Sequence, residues 1–162
     1  MPELTLLATS VGALLKERKE NIAVADSSAG GLISAALLSI PGASAYYVGG
    51  IVSYTGVSRM TLLGISEDDM AKIGMRASTE PYAALIAKSV REKFGTTWAV
   101  SETGASGPTG NRYGDASGHA CFAVSGPVER TITVETRSSD REANMWAFTK
   151  AALELLETCL KA

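Results

Sequence analysis

Leu4, Leu7, Val11, Leu14 and Leu15 recur at the three- and four-residue intervals of one helical face, and Lys16 to Glu20 ends that run in charge. The spacing predicts an amphipathic helix over residues 3–19. Ile22 to Ala25 is a short unbroken apolar run, read as a buried strand, and Leu32 to Ile40 has helical composition until Pro41-Gly42 stops it. Strand, glycine turn and helix together open an α/β unit. Val48 to Thr55 reads as the next strand and Arg59 to Leu63 as a short helix before Gly64. Ser66 followed by Glu67, Asp68 and Asp69 marks a helix start, because acidic side chains suit the positive end of the helix dipole. A longer helix covers residues 79–94, with Thr79 as cap, Pro81 in the first turn, and Leu85, Ile86, Val90 and Phe94 on one face. Thr97 to Glu102 is a strand. His119 to Ser125 and Glu129 to Thr136 form an antiparallel hairpin around Gly126-Pro127, with Ile132 and Val134 on one face. The last helix begins near Ser139-Asp140, runs to about Leu160, and is expected to bury Met145, Phe148, Ala152, Leu155 and Cys159. The expected fold is α/β, one layered domain over residues 1–162, with a mixed sheet and helices packed on its faces.

Composition narrows the class. A chain of 162 residues is the size of one ordinary domain, and 46% hydrophobic with 20% charged residues fits a globular core. Fifteen basic against 17 acidic residues give a net charge of −2 with no basic block, which argues against a nucleic-acid surface. No apolar stretch reaches the ~18 residues of a membrane span, so no membrane role is expected. Leu4 to Leu15 is interrupted by Thr5, Thr9 and Ser10 and does not read as a signal peptide. Cys121 and Cys159 alone build no disulfide framework, which points to a reducing cytoplasm. One histidine and two separated cysteines assemble no metal-ligand pattern, so neither metal nor cofactor is expected.

Three glycine-bearing segments carry the candidate chemistry: Asp26 to Gly31, Gly49 to Tyr54, and Thr103 to Gly110. Each pairs glycine with small hydroxyl residues at the end of an expected strand, where main-chain N–H groups can face a ligand. Ser27 and Ser28 fall at a strand-to-helix turn. Either one caps the next helix, or the turn presents a nucleophile or a bound anion. The Thr103 to Gly110 loop is a second anion cradle or a purely conformational loop, and it lacks the lysine of a P-loop. Arg141 either clamps a phosphate or pairs with Glu142 or Glu135, and Arg59 is open in the same way. No G-x-S-x-G elbow is present. The single histidine, His119, lies in an apolar strand and reads as a packed side chain, which argues against a Ser-His-Asp triad.

The segments Ala25 to Gly31, Pro41 to Tyr47, Gly49 to Tyr54, Leu62 to Ile65, Thr103 to Gly110 and Asp140-Arg141 occur in an order and spacing that resemble the C-terminal domain of the competence/damage-inducible protein CinA. That domain also occurs alone as a nicotinamide-mononucleotide deamidase. The likeness runs from about residue 5 to 158. It implies metal-independent amide hydrolysis, in which nicotinamide mononucleotide and water give nicotinic acid mononucleotide and ammonia. By resemblance the nucleophile is Ser27, the position of the activating lysine falls on Arg59, and Thr103, Gly104, Ser106, Gly107 and Arg141 line the nucleotide site. Ser28, Gly30 and Gly31 join that site through the first glycine turn. The resemblance also implies self-association into a homo-oligomer. The longer CinA proteins carry an N-terminal companion domain, whereas this chain begins almost at its first helix and is expected to act alone or with separate partners.

The departures from the family pattern are specific. Asp26 stands for a glutamate, Ser28 for a cysteine and Ala29 for a threonine; Gly56, Val57 and Ser58 replace Asn, Glu and Ala; and Met145 replaces an arginine. The third loop is shortened around Arg112-Tyr113-Gly114. Arg59 in place of lysine matters most, because a guanidinium with a pKa above ~12 cannot take a proton from serine. One reading keeps the amidohydrolase, with Arg59 steadying an oxyanion or phosphate while Tyr54, a neighbour or a water receives the Ser27 proton. The other keeps the pocket as a binding or regulatory module for a nucleotide-like ligand.

Overall fold

The computed structural model describes residues 3–162. Its elements are α1 (Leu4–Arg18), β1 (Ile22–Asp26), α2 (Leu32–Leu38), a 3-10 turn (Ala43–Ala45), β2 (Tyr47–Val52), α3 (Gly56–Leu63), α4 (Glu67–Lys72), α5 (Glu80–Phe94), β3 (Trp98–Gly104), β4 (His119–Ser125), β5 (Arg130–Glu135) and α6 (Arg141–Lys161). The strands form one mixed sheet in the order β2-β1-β3-β4-β5. β1 runs parallel to both β2 and β3, whereas β3–β4 and β4–β5 are antiparallel.

Burial follows from strand alternation. Ile22, Val24, Trp98, Val100, Phe122 and Val124 face α1, α2 and α6, and Phe122 meets Phe148 of α6 edge-on at 6.1 Å. Ala23, Ala25 and Ala99 face the opposite layer, with Met70 of α4 and Tyr82, Ile86 and Val90 of α5. Small alanines on that face let α5 lie close against the sheet. β1, β3 and β4 are therefore buried on both faces. The edge strands β2 and β5 alternate, and Ile132 and Val134 of β5 point into the core as their spacing predicts.

Three helix starts legible in the sequence are confirmed by hydrogen bonds. Ser66 accepts from Asp69 N, Thr79 from Tyr82 N, and Asp140 from Ala143 N. α3 begins earlier than its composition suggests. Thr55 Oγ1 accepts from Ser58 N while Ser58 Oγ accepts from Thr55 N, a capping box built with serine in the place usually held by Glu or Gln. Neither Ser27 nor Ser28 caps α2. Its N-cap is Gly31 at φ 91°, which makes no side-chain cap. Of the residues expected inside α6, Met145 is only half-buried, and Asn144 takes the buried position beside it. Among the described residues no helix is long and apolar enough to cross a membrane.

Candidate active site

β1 and β3 lie side by side and parallel, so their carboxyl ends open at the same edge of the sheet, the place where open α/β sheets characteristically hold ligands. Asp26 ends β1 and hands the chain to Ser27; Thr103 and Gly104 end β3. Between them lies a cavity of about 360 Å³ walled by Ser27, Ser53, Arg59, Tyr82 and Thr103. A second cavity of about 240 Å³ adjoins it, walled by Ser28, Ser106, Gly107 and Arg141, and Tyr54 and Gly104 belong to both walls. A side chain at position 104 is impossible without rearrangement, since a Cβ there would stand 2.4 Å from the His119 carbonyl oxygen.

The turn after β1 is organised by a residue that sequence reading passed over as an ordinary strand position. Glu102 on β3 is 2% exposed and reaches across to the turn. Its Oε2 accepts from Ser27 N at 3.0 Å and Ala29 N at 2.9 Å, and its Oε1 accepts from Ser28 Oγ. Asp26 Oδ2 accepts from Gly31 N at 2.9 Å, and the Ser27 carbonyl accepts from Gly30 N. The amides of residues 27, 29, 30 and 31 are thus spent on protein acceptors and offer nothing to a ligand oxyanion. Gly30 and Gly31 wall neither cavity.

Two carboxylates are buried together here. Burial, and then the neighbouring Glu102 charge, raise Asp26 from 3.8 to about 7, against a partial lowering by backbone amides. Burial also raises Glu102, opposed by its bonds from Ser28, Ala29 and Ser27. Glu102 receives three donors, while Asp26 Oδ1 has no partner among the described residues. Of the two, Asp26 is therefore the carboxyl that more readily keeps a proton, and Glu102 the better-stabilised anion.

Ser27 is half-buried on the larger cavity, and its hydroxyl bonds to none of the described residues. Arg59, 4% exposed, projects from α3 into the same wall. Its Nε donates to the Ile65 carbonyl at 3.1 Å, its guanidinium lies 6.0 Å from the Tyr82 ring centre, and Nη2 stands 3.1 Å from Glu67 Oε1. That last contact is an ion pair set out of line for a hydrogen bond, which leaves Nη2 free to donate. Burial alone lowers the Arg59 pKa, but Tyr82 and Glu67 outweigh it and hold the guanidinium above its ordinary range. Arg59 is a fixed cation. Glu67 also faces Arg112 at 3.4 Å, so this wall carries two guanidinium groups against one carboxylate.

In the second cavity Arg141 donates Nη1 to the Gly107 carbonyl and Nη2 to Tyr54 Oη at 3.1 Å. It pairs with neither Glu142 nor Glu135. Among the described residues, three buried polar atoms on the two walls have no hydrogen-bond partner: Ser53 Oγ, Ser106 Oγ, and Arg59 Nη2, whose one contact is the out-of-line ion pair with Glu67. Buried polar groups are nearly always hydrogen-bonded, so these three atoms across the two cavities mark where a ligand's polar groups would fit. A third hollow of about 390 Å³ beside α5 and β5, with Pro81, Leu85 and Val124 in its wall, has no such atom. Among the described residues no three His, Cys, Asp or Glu side chains gather as a metal site.

The structure thus brings Ser27, Tyr54, Arg59, Thr103, Gly104, Ser28, Ser106, Gly107 and Arg141 to two joined cavities. Sequence reasoning missed Glu102, Glu67, Tyr82 and Arg112. Tyr82 sits in a helix whose pattern reads as core, and Glu67 reads as a dipole-matching acid, so neither carried a local signal.

Residues 4–160 match the family model of the CinA C-terminal domain. A CinA-like protein of Chlorobium limicola is 35% identical over 162 residues, covering 97% of this chain and 37% of its own length. One of Gloeobacter violaceus is 37% identical, covering 93% of this chain and 35% of its own. The chain thus spans little more than a third of these relatives. Among solved structures, a competence/damage-inducible protein of Agrobacterium tumefaciens superposes with a TM-score of 0.88 at 25% identity, covering 100% of this chain and 98% of that one. A CinA superfamily protein of Klebsiella pneumoniae reaches 0.90 at 23% identity, covering 99% of each chain, and shares the fold.

Proposed function

This chain belongs to the CinA C-terminal domain family, and we propose that it is a nicotinamide-nucleotide amidohydrolase acting by a metal-independent serine mechanism. The observation that carries the reading is the joining of Ser27, Arg59 and Thr103 on one cavity to Arg141 on the next. Ser27 Oγ attacks the carboxamide carbon of nicotinamide mononucleotide, its hydroxyl proton passes by way of water to the departing nitrogen, and the C–N bond breaks to release ammonia. Water then cleaves the acyl ester to give the carboxylate and restore the serine. Since the turn amides are engaged by Glu102, Asp26 and the Ser27 carbonyl, the oxyanion is held by the free Nη2 of Arg59 and the Thr103 hydroxyl. Arg141 and the loop from Gly104 to Gly107 take the phosphate.

One specific observation favours a second reading, a nucleotide-binding module without turnover. Among the described residues no base bonds to the Ser27 hydroxyl, and Arg59 is held as a cation. Ammonia release from nicotinamide mononucleotide, measured on the parent, Ser27→Ala and Arg59→Lys, separates the two. Release that is lost in Ser27→Ala establishes the amidase, and release unchanged in Ser27→Ala removes Ser27 as nucleophile. A silent parent that still binds the nucleotide in a thermal shift, and gains release in Arg59→Lys, is a binding module with a surviving pocket.

A further inference from the structure

His119 stands behind the cavity wall, in a cluster that the proposed reaction does not use. Its Nε2 lies 2.8 Å from the Ser78 carbonyl oxygen, and its Nδ1 contacts the Glu135 carboxylate. A carbonyl and a carboxylate both accept, so the surroundings favour a ring that carries a proton on each nitrogen, an imidazolium. The charges facing it are consistent with that. Glu135 comes from β5, and Asp115 of the loop before β4 lies 3.7 Å from Nε2, itself held by Arg76 at 2.8 Å. On its own strand Cys121 Sγ is 3.7 Å away, and burial raises that thiol, which keeps it neutral. Glu80, at the start of α5, is turned to the hydroxyls of Thr131 and Thr133. Burial opposes the imidazolium, but Glu135, the Ser78 carbonyl and Asp115 prevail, so its pKa is raised.

What the imidazolium holds is a strained residue of the cavity. Ser78 is buried, walls the larger cavity, and has φ 60°, a left-handed conformation costly for any residue with a Cβ. Such a conformation persists only when its surroundings over-determine it. His119 grips its carbonyl, and its N–H donates to Thr103 Oγ1 at 3.1 Å. With its oxygen engaged as acceptor, the Thr103 hydroxyl keeps its proton for a ligand, and it donates to none of the described residues.

We infer that His119 is a positioning residue: through the Ser78 backbone, held at its carbonyl and donating from its N–H, it fixes the Thr103 hydroxyl as a donor into the cavity, so that ligand affinity there depends on the His119 charge. The nature of the ligand rests on the proposed function; the His119–Ser78–Thr103 linkage does not. On deprotonation one ring nitrogen faces an acceptor with a lone pair, and the charge-assisted grip on Ser78 falls to a neutral bond of roughly half the strength. Binding at Thr103 must in turn make His119 harder to deprotonate, by reciprocity.

Because His119 is the only histidine in the chain, its ring proton resonances report its titration without assignment work. Saturating nicotinamide mononucleotide is expected to move the midpoint upward by about half a pH unit, a coupling of about threefold. His119→Ala should raise the nucleotide's Kd about tenfold, whereas His119→Gln, whose amide can still donate to Ser78, should recover most of the affinity. Asp26, raised to about 7, titrates in the parent and in His119→Gln alike, so the difference between their pH profiles isolates the His119 contribution. An unmoved midpoint together with parental affinity in His119→Ala overturns the inference. Should the nucleotide not bind the parent at all, the proposed function fails by itself, and Thr103→Val then decides the linkage. A shifted His119 midpoint in that variant upholds it, and an unchanged one refutes it.

Discussion

Glu102 shows how a single residue can be decisive and yet leave no mark in a sequence. Ser27 is visible in a short motif, because strand-end turns have local signatures in glycine and serine, and Arg59 is singled out by its place in the family pattern. Glu102 sits 75 positions from Ser27 along the chain, and only the parallel pairing of β1 with β3 brings them together. Of the readings open for Ser28, the helix cap is excluded for the same reason, since a distant carboxylate claims its hydroxyl. The carboxylate does for this turn what a cap would do for a helix start. It satisfies two amides and one hydroxyl that the cavity would otherwise leave bare. Glu102→Gln keeps the shape but loses the charge-assisted character of those bonds, and should cost about 1–3 kcal/mol in urea unfolding. Glu102→Ala removes the acceptor altogether and should cost about 3–5 kcal/mol. Because the Glu102 charge helps raise Asp26, the glutamine variant should also lower the Asp26 midpoint, readable by carboxyl-carbon NMR.

At the scale of elements, legibility tracked how local the determinants are. Ser66, Thr79 and Asp140 cap helices through bonds to residues three positions on, and all three starts could be read from residue type alone. α3 was read too short because its box uses Ser58 rather than an acidic or amide partner, and because Gly56 is a poor helix former. That first turn has a purpose beyond the helix. It places Arg59 one turn in, with Nε on the Ile65 carbonyl and the guanidinium against Tyr82. Thr55→Ala removes the acceptor for Ser58 N, and should destabilise the element by about 1 kcal/mol. The site consequence is the sharper test. Fraying of α3 loosens Arg59 without touching Ser27, so nucleotide affinity or ammonia release should drop while chemical labelling of Ser27 by a small acylating reagent stays at the parental rate. Equal loss of both would mean that α3 supports the whole cavity rather than its arginine.

For the whole molecule, the two-sided burial of β1 and β3 sets an unusual pH balance. Layers of helix on both faces leave the strand ends dry, so the acid that closes β1 is held to about 7. A carboxyl group whose folded pKa exceeds its unfolded value binds its proton more tightly when folded, and stability therefore falls as pH rises from about 4 to about 7. The upper bound of that loss is on the order of 4 kcal/mol. His119 acts in the same direction over a higher window. Its folded pKa is raised above 6.5, so its contribution is complete below that value and disappears as pH climbs through the folded one. The opposing groups are exposed or half-buried carboxylates. Glu67, lowered by Arg59, Glu80 by Thr131 and Thr133, Asp115 by Arg76, and Glu157 by Lys161 and Ser10 stabilise the fold above their unfolded values and fail only in stronger acid. Between those limits stability should peak near pH 5, on the acid side of neutrality. Thermal melts from pH 4 to 9 check this, with a higher Tm at pH 5.5 than at pH 8.5 as the expected result. Asp26→Asn is the control, since its amide keeps an oxygen for Gly31 N and presents an N–H where Asp26 now carries its proton. It should flatten the fall between pH 4 and 7 and melt higher than the parent at pH 8.5. A parent whose Tm rises towards pH 8, or an Asp26→Asn profile that keeps the parental slope, would show that Asp26 ionises freely and that the carboxyl ends of β1 and β3 are wetter than their packing implies.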